Sequence, residues 1–447
     1  MHKSGDHDID APGAWQINTG STGVILVIMD SGVRYYHKDL GGSSWPTTTG
    51  NIWINPGEIK SNKKDDDGNG YKDDWIGWDF VTGVTGCMKG EDCRTEDNDP
   101  RDFTGHGTHC AGIAAAMTNN ARGVAGVAGG WGDGTTNSIG NGCKIMCLRI
   151  GWLASNGYGY VRMDFAAKAM YYAANKGATV INCSWGSSNS GGLADAVNYA
   201  ISKGCLIVHA AGNNGNSTAD YLGSRTDVLN VAATDSLDVK ASFSSYGTWV
   251  DVSAPGVDIV STYHYYLDQA NDYVAVMSGT SMSTPFVTGE AALIKSKYPS
   301  YTWSDIFNQI KNTADNIDAL NPGYAGLLGS GRINACRALG GTPNPKVYVE
   351  GSNIPTKFSL DQNYPNPFNP TTNISFALPS DSKVSLSIYN IMGQKVKTLV
   401  DEMTKAGTHT VTWDGTNQQG ESVASGIYFY KLSAGDKVIT KKMSLLK

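Results

Sequence analysis

Up to about Gly340, the chain alternates apolar runs with stretches of helical spacing. Four runs predict strands that are buried on both faces: Val24–Met29, Lys144–Ile150, Ala178–Cys183 and Cys205–Ala210. Apolar residues with helical periodicity fill the intervals between the last three runs, over Val161–Lys176 and Leu193–Lys203. Each helical stretch ends in Lys-Gly, which places a basic residue in the last turn of the helix and a glycine where the helix ends. The pattern predicts an α/β fold with a parallel sheet and helices on both faces, and with chemistry at the carboxyl ends of the strands.

The pattern changes after Gly340. Residues 341–357 hold Gly, Pro and polar side chains, which predicts a linker between residues 1–340 and 358–447. Short runs separated by turn residues then predict a small Ig-like β-sandwich: Thr372–Leu378, Lys383–Tyr389, Gln394–Val400, Gly407–Trp413, Gly426–Leu432 and Lys437–Leu445. For its core we expect Tyr389, Trp413, Tyr428 and Phe429.

The composition and net charge of the chain argue against two classes of binding partner. The chain has 35 Lys and Arg against 41 Asp and Glu, a net charge of −6, and it has no basic block. Nucleic acid and anionic membranes are therefore not expected partners. Charged residues make up only 17% of the chain, which is in keeping with an extracellular protein. The longest clean apolar run, Val24–Met29, is too short to span a membrane.

The N-terminal sequence and the cysteines bear on the compartment. Met1-His-Lys-Ser-Gly-Asp6 has no apolar signal core, so the protein is cytosolic or its numbering starts after a removed signal and pro-segment. The motifs below favour the second alternative. Eight cysteines are too few for a disulfide scaffold. Cys87 and Cys93 bracket a short polar loop that a disulfide can close, whereas a buried free thiol is expected for Cys110, Cys183 and Cys205.

Three motifs could supply a nucleophile, its base and an orienting carboxylate. Asp30 ends the first predicted strand, His106 lies in Gly105-His-Gly-Thr-His-Cys-Ala-Gly112, and Ser281 lies in Gly279-Thr-Ser-Met-Ser-Thr-Pro285. His106 and Ser281 each begin a predicted helix, where backbone N–H groups favour developing negative charge. Pro285 is expected in the first turn of the second helix. Each residue also has an ordinary alternative: a turn aspartate, a packed histidine and one serine among many. We expect His109 to be a core histidine.

In this order and spacing the motifs resemble those of the subtilisin-like serine proteases, the subtilases, over roughly residues 9–340. The resemblance implies a subtilisin-like fold in which Asp30 orients the base His106 and Ser281 is the nucleophile. Ser283 replaces a small apolar residue of the family, and Thr284 precedes the proline, but neither change removes a catalytic group. The Ala210-Ala-Gly-Asn213 segment implies that Asn213 donates to the oxyanion, with a plain turn residue as the alternative.

The resemblance also implies a substrate site. The walls of its pocket would be Ser184, Trp185, Gly186, Ala211 and Gly212. Gly151 and the Gly157–Tyr160 stretch around Tyr158 would pair with extended substrate backbone, which predicts broad specificity for protein or peptide substrates. Trp185 has plain core packing as its alternative. The pocket floor is not predicted, because Ala219-Asp-Tyr-Leu-Gly223 replaces the Tyr-Pro-Ala segment of relatives.

The segment Asp65–Asp74 carries the strongest metal signal. Its oxygen-bearing residues alternate as in a calcium loop, with Gly70 at the turn. The candidate ligands are Asp65, Asp67, Asn69, the Tyr71 carbonyl, Asp73 and Asp74. Ile76 stands where an EF-hand has Glu, and a solvated acidic turn is the alternative. The family resemblance implies a second structural calcium site at Asp39 and Asn120.

The C-terminal segment has its own resemblance. Leu360-Asp-Gln-Asn-Tyr-Pro-Asn-Pro-Phe-Asn-Pro-Thr-Thr372, Ser387–Val396 and Gly426–Leu432 resemble motifs of the C-terminal sorting domain of bacterial type IX secretion, over about residues 358–447. This implies the type IX machinery as a partner, a removed pro-segment and a secreted, extracellular or cell-surface protein. A generic Ig-like spacer is the alternative. For the whole chain, a non-catalytic surface protein with a degenerate protease fold is the alternative to an enzyme.

Overall fold

The structure, a computed structural model, describes residues 7–44, 46–136, 138–342, 358–363, 365–435 and 437–445. The chain divides into two compact units, Met1–Asn344 and Pro345–Lys447. The division falls close to the predicted change of pattern at Gly340. Almost all of the predicted linker, from residue 343 to residue 357, lies outside the described residues.

The N-terminal unit contains a seven-stranded parallel sheet within the described residues, in the order β11-β10-β9-β8-β1-β5-β4. Three antiparallel pairs accompany it: β2 with β3, β6 with β7, and β12 with β13. The strands are β1 Ile25–Asp30, β2 Gly42–Ser44, β3 Thr47–Thr48, β4 Gly77–Asp79, β5 Lys144–Arg149, β6 Gly151–Leu153, β7 Gly159–Val161, β8 Val180–Cys183, β9 Leu206–Ala210, β10 Leu229–Thr234, β11 Val252–Pro255, β12 Ile259–Tyr263 and β13 Tyr273–Met277.

Helices cover both faces of the parallel sheet. They are α1 Ala11–Trp15, α2 His106–Ala115, α3 Met163–Asn175, α4 Leu193–Ser202, α5 Thr280–Lys297, α6 Trp303–Thr313 and α7 Ala335–Ala338, with 3-10 turns at Lys38–Leu40, Asp318–Leu320 and Pro322–Tyr324. Strand β1 shows why its sequence is apolar throughout. Leu26 and Ile28 belong to the core that includes residues of α2 and α5, and Val27 and Met29 belong to the core that includes residues of α3 and α4. The predicted α/β class with helices on both faces is confirmed.

Most predicted elements of this unit differ from the observed ones by one or two residues at their ends. Helix α3 begins at Met163 instead of Val161 because Val161 pairs with Gly151 in the β6–β7 hairpin. Pro285 is not in the first turn of α5 but lies inside the helix, which begins at Thr280. None of the helices among the described residues is long and apolar enough to cross a bilayer.

The C-terminal unit consists of two antiparallel sheets, ordered β14-β15-β18 and β17-β16-β19-β20. The strands are β14 Ser359–Leu360, β15 Thr372–Leu378, β16 Ser382–Asn390, β17 Lys395–Thr404, β18 Gly407–Trp413, β19 Gly426–Ala434 and β20 Lys437–Leu445. The predicted sandwich is confirmed, and Trp413 and Tyr428 are in its core. Tyr389 and Phe429 are not. They are paired across strands and only half-buried, because alternate residues point to opposite faces, and Ile388 and Tyr430 occupy the core.

Each unit has a core of its own, so each should fold without the other. We expect a chain that ends at Gly341 to retain hydrolytic activity within about twofold, because the candidate catalytic groups precede that residue. Residues 358–447 expressed alone should show a cooperative thermal transition. Circular dichroism and a peptidase assay on the two fragments would check both expectations. An inactive N-terminal fragment that is otherwise folded would contradict the first.

Candidate active site

Asp30 and His106 meet at the carboxyl edge of the parallel sheet. Asp30 is the last residue of β1 and its side chain is 5% exposed, while His106 is the first residue of α2 and is 28% exposed. His106 Nδ1 lies 2.7 Å from Asp30 Oδ1. A carboxylate in this position holds the proton on Nδ1 and leaves Nε2 as the basic nitrogen.

The glycines on either side of His106 allow this close approach. Gly105 has φ +88°, and a Cβ there would lie 2.3 Å from the ring of Tyr263. A Cβ on Gly107 would lie 2.1 Å from the Gly32 carbonyl oxygen and 3.1 Å from Asp30 Cβ. Any larger residue at position 107 would therefore push α2 away from the end of β1.

A buried carboxylate that the sequence analysis missed holds the start of α2. Asp102 is 2% exposed; its Oδ1 accepts from the backbone N–H groups of Thr104 and Gly105, and its Oδ2 accepts from that of Thr108. Its Oδ1 also accepts from the Ser31 hydroxyl at 2.9 Å, next to Asp30. An acidic residue shortly before a helix start is the signal that could have identified it.

Ser281 lies in the first turn of α5, against the segment after β8. Its Oγ donates to the Ser184 carbonyl at 3.0 Å, and the Ser184 hydroxyl donates to the Ser281 carbonyl at 3.0 Å. The Ser281 carbonyl is available because Pro285, four residues later, has no N–H to donate to it. The position of the proline thus frees an acceptor that Ser184 and Cys110 use.

Cys110 connects the starts of the two helices. It lies one turn after His106 on the same face of α2, and its Sγ is 3.4 Å from the Ser281 carbonyl oxygen. Ligand atoms of Asp30, His106 and Cys110 lie within 4.8 Å of one another. Burial and the charge of Asp30 raise the pKa of the Cys110 thiol well above its usual range, so it stays protonated and is a poor nucleophile. In this structure the Ser281 hydroxyl donates to the Ser184 carbonyl, so it must give up that bond before it can donate to His106.

Asn213 lies next to the backbone N–H of Ser281. Its Oδ1 accepts from the Thr280 N–H at 2.9 Å and from the Thr280 hydroxyl at 3.0 Å, which fixes the orientation of the amide. A Cβ built on Gly279 would lie 3.4 Å from Asn213 Nδ2 and 3.7 Å from the Ser281 nitrogen. The Asn213 amide nitrogen and the Ser281 N–H therefore both border the space beside Gly279.

The environment of His106 favours its charged form. Burial lowers the pKa of His106, but the charge of Asp30 and its hydrogen bond raise it by more, and Asp102 adds to the rise. The net pKa is above the usual 6.5. His109 is the buried core histidine that the sequence predicted; its Nε2 lies 3.1 Å from the carbonyl oxygens of Ile259 and Ala275, and burial lowers its pKa to about 4.

A cleft of about 620 Å³ opens beside Asp30 and His106. Its lining includes the predicted Gly151, Ser184, Trp185 and Gly186, and Gly159 and Tyr160 of the predicted Gly157–Tyr160 stretch. It also includes Trp152, Leu153, Val161 and Met277. Trp185 lines the cleft and also packs in the core. It is 8% exposed, and its indole N–H donates to the Met29 carbonyl.

Three predicted substrate residues lie elsewhere. Tyr158 is 69% exposed just before β7, whereas Tyr160, from the same predicted stretch, lines the cleft and stacks on Trp152. Ala211 and Gly212 do not line the cleft; Ala211 is buried, and the Gly212 N–H donates to the Thr280 hydroxyl, one residue before Ser281. Their roles toward substrate stay predictions.

The Asp65–Asp74 loop brings together a different set of carboxylates from the predicted one. Oxygens of Glu58, Asp65 and Asp67 lie within 4.8 Å of one another, and Glu58 Oε2 is buried without a hydrogen-bond partner. Three carboxylates with an unsatisfied oxygen fit a hard cation such as calcium. Glu58 lies outside the acidic run, so the sequence pattern did not indicate it.

The other predicted ligands of this loop are engaged in protein contacts. Asp73 accepts from the Asn62 and Lys63 N–H groups, and Asp74 is fully buried and accepts from Tyr172 and Asn55. The Asn69 amide donates to Asp74, and its oxygen accepts from the Tyr71 N–H. Asp73 and Asp74 are not part of the Glu58, Asp65 and Asp67 group, and their role toward a cation stays a prediction.

The predicted second site brings Asp39 and Asn120 together by a direct hydrogen bond. The Asn120 amide donates to Asp39 Oδ1 at 2.8 Å, and the Val124 N–H donates to Asp39 Oδ2 at 2.7 Å. Asn120 thus presents an N–H to the carboxylate, and its own oxygen accepts from the Arg122 N–H at 3.1 Å. Calcium at this position stays a prediction.

The comparisons with known proteins agree with this geometry. A model of the subtilase family matches residues 21–331. The chain is 40% identical over 327 residues to a thermophilic serine proteinase of Bacillus sp. (strain AK1), covering 73% of this chain and 64% of that protein. It is 38% identical over 336 residues to thermitase of Thermoactinomyces vulgaris, covering 75% of this chain and 95% of thermitase.

A solved protease structure from Pseudoalteromonas arctica PAMC 21717 superposes with a TM-score of 0.57 at 28% identity, covering 74% of this chain and 93% of that one. The chain therefore belongs to the subtilase family and is a serine endopeptidase by class. A model of the FlgD Ig-like domain matches residues 362–437, within the C-terminal unit.

The raised pKa of His106 predicts the acid limb of the activity profile. A general base acts only when neutral, so kcat/KM should fall as the pH drops through a pKa above 6.5. A kcat/KM profile between pH 5 and 9 on a peptide substrate, with circular dichroism at each pH, would check this. His109 stays neutral over that range and cannot produce the limb. Half-maximal activity at or below pH 6.5 would contradict the expected influence of Asp30.

Removal of calcium should destabilise the protein through the Glu58, Asp65 and Asp67 cluster. If the ion binds only the folded chain, stability should rise by about 2.7 kcal/mol at one hundred times Kd. A Glu58→Gln, Asp65→Asn variant should lose most of the difference in melting temperature between calcium and chelator. Asp73→Asn is the matched control, and it should keep the calcium response because its carboxylate faces Asn62 and Lys63. An equal response in both variants would contradict the cluster.

Proposed function

We propose that the protein is a secreted subtilisin-like serine endopeptidase in which Ser281 is the nucleophile, His106 the base and Asp30 the orienting carboxylate. The observation that carries the proposal is the 2.7 Å contact between His106 and Asp30 at the sheet edge, with the start of α5 held alongside through Cys110. Protein or peptide chains are the substrates. We expect broad specificity because the β6–β7 hairpin offers backbone groups to an extended chain.

Hydrolysis proceeds in two steps. The Ser281 oxygen attacks the carbonyl carbon of the scissile bond while His106 Nε2 takes the hydroxyl proton, and Asp30 stabilises the resulting imidazolium. His106 then gives that proton to the leaving amine as the C–N bond breaks. Water hydrolyses the acyl-enzyme by the same proton transfers, which restores the Ser281 hydroxyl and releases the acid product.

The negative charge of the tetrahedral intermediate falls on the substrate oxygen. In the proposal, Asn213 Nδ2 and the Ser281 N–H donate to that oxygen. Its support is that both donors border the space beside Gly279, and that two bonds from Thr280 already orient the Asn213 amide. Little reorganisation is needed as charge develops, which is the condition under which such donors are most effective.

Calcium and export complete the proposal. Calcium would be held by Glu58, Asp65 and Asp67, and it would supply positive charge that screens their mutual repulsion. An N-terminal pro-segment would be removed during maturation, and the C-terminal unit would serve type IX export. Its support is the sequence resemblance together with Ile391 and Met392, apolar residues of the Ser387–Val396 motif that are 73% and 74% exposed and do not serve the sandwich core. The Asn363 and Phe368 side chains of the first motif are buried instead and support the fold.

Substitution of Ser281 and Asn213 tests the catalytic roles. Ser281→Ala should abolish peptide hydrolysis and labelling by an organophosphonate, with an unchanged melting temperature. Asn213→Ala should lower kcat by about 10²–10³ with little change in KM, because its donor acts on the transition state. Asn214→Ala, at the next position, which is also exposed, is the matched control and should keep full activity. Wild-type turnover by Ser281→Ala would show that the nucleophile is misassigned, and an unlabelled wild type would favour a non-catalytic surface protein.

The sorting role is tested in a host with the type IX system. Deletion of residues 358–447 should retain the protease in the periplasm, measured by cell fractionation and immunoblotting. An Ile391→Ser, Met392→Ser variant should reduce export as well, whereas Met403→Ser, at an exposed position of β17, should not. A deletion variant that reaches the medium at the wild-type level would favour the spacer interpretation.

A further inference from the structure

The loop closed by the Cys87–Cys93 disulfide lies along strand β6, on the side away from β7. Cys87 forms a β-bridge with Ala154, the residue after β6. The Ser155 N–H donates to the Gly86 carbonyl at 2.7 Å, and the Met88 N–H donates to the Leu153 carbonyl at 2.8 Å. The loop therefore pairs with β6 as a third strand of the hairpin would, and β6 is held on both edges, by β7 and by the disulfide loop.

Glu91 adds a buried side-chain contact to this pairing. Its side chain is 1% exposed, Oε2 accepts from the Leu153 N–H at 2.9 Å, and Oε1 pairs with Arg149 at 2.8 Å. The Met88 N–H donates to the Leu153 carbonyl, and Glu91 accepts from the Leu153 N–H. Both backbone groups of Leu153 are therefore hydrogen-bonded to the loop. A fully buried carboxylate with a charged partner and a backbone donor is held in one position.

Arg149 connects this contact to the catalytic edge of the sheet. It is the last residue of β5, in register with Asp30, and it also pairs with Asp79 and donates to the Asp92 carbonyl. The side chains of Arg149, Asp79 and Glu91 are each 1–2% exposed. The loop is thus fastened to the strand beside the one that carries Asp30.

The hairpin is a wall of the substrate cleft. Residues of both strands line it: Gly151, Trp152, Leu153, Gly159, Tyr160 and Val161. Because the Ala154 N–H donates to the Tyr158 carbonyl, alternation along the strands directs the backbone groups of Gly159 away from β6. A substrate strand could add at that edge, so a displacement of β6 would displace the edge that receives it.

We propose that Glu91, supported by the Cys87–Cys93 disulfide, is a positioning residue that holds the β6–β7 wall at the distance an extended peptide substrate requires. The proposal rests on the proposed endopeptidase function and adds a determinant of substrate binding remote from the bond that is cut. Loss of Glu91 or of the disulfide should weaken the binding of long substrates and leave the reaction at Ser281 intact.

Kinetics on two substrates separate positioning from general structural support. One is a peptide with at least four residues before the scissile bond, and the other is a single-residue ester that does not reach the hairpin. For Glu91→Ala we expect KM for the peptide to rise about tenfold, with kcat and the ester rate within twofold of wild type. Glu91→Gln keeps an acceptor for Leu153 and should be intermediate. Asp92→Asn, whose exposed carboxylate accepts only from the Arg94 N–H among the described contacts, is the matched control.

A Cys87→Ser, Cys93→Ser variant tests the same role without altering Glu91 and should shift KM in the same direction. It carries the test if Glu91→Ala does not fold. Equal losses on the peptide and the ester, or an unchanged peptide KM in both variants, would overturn the proposal. Peptide affinity measured by fluorescence anisotropy in the Ser281→Ala background distinguishes this result from failure of the proposed function. A weaker affinity with Glu91→Ala supports positioning even if the wild type has no hydrolytic activity, and an equal affinity refutes it.

Discussion

The close approach of helix α2 to the end of strand β1 is the constraint on which the site depends. The space of a missing Cβ at Gly107 lets the helix backbone come up against Gly32 and Asp30. That approach places the first residue of the helix, His106, 2.7 Å from the last residue of the strand. Asp102 and Ser31 then fix the first turn by hydrogen bonds, so the imidazole is oriented by buried groups on both elements.

Helix α5 is connected to α2 through a carbonyl that lacks its usual hydrogen bond within the helix. Pro285 interrupts the bonding pattern of the helix and leaves the Ser281 carbonyl available to groups outside it. Ser184 and Cys110 take up that carbonyl, and in doing so they join the cleft wall, the nucleophile and α2. Pro285 would weaken an ordinary helix, but here it leaves available the Ser281 carbonyl, which connects the three segments.

The acidic loop shows how neighbouring hydrogen-bond donors compensate carboxylates that lie close together in sequence. Carboxylates close together in sequence repel one another unless protein donors or a cation compensate them. Asp73 and Asp74 are compensated by backbone and side-chain donors, and Lys176 forms ion pairs with Asp67 and Asp74. Asp65 and Asp67 also accept hydrogen bonds from neighbouring donors, and their oxygens lie within 4.8 Å of Glu58, a residue outside the run that no spacing rule within the run could indicate.

Local patterns in the sequence indicated four of the seven described strands of the parallel sheet (β1, β5, β8 and β9), helices α3 and α4 and the strands β15 to β20 of the sandwich, and motif order indicated Asp30, His106 and Ser281. These features are set by side-chain type and period, which are properties of the chain alone. The tertiary structure decided the features of the site that depend on contacts between residues distant in sequence. It placed Asp102 at the start of α2, brought Glu58 into the carboxylate cluster and put Tyr160, but not Tyr158, in the lining of the cleft. In the sandwich it turned Tyr430 inward and Phe429 outward, because strand pairing and not residue size decides which face is buried.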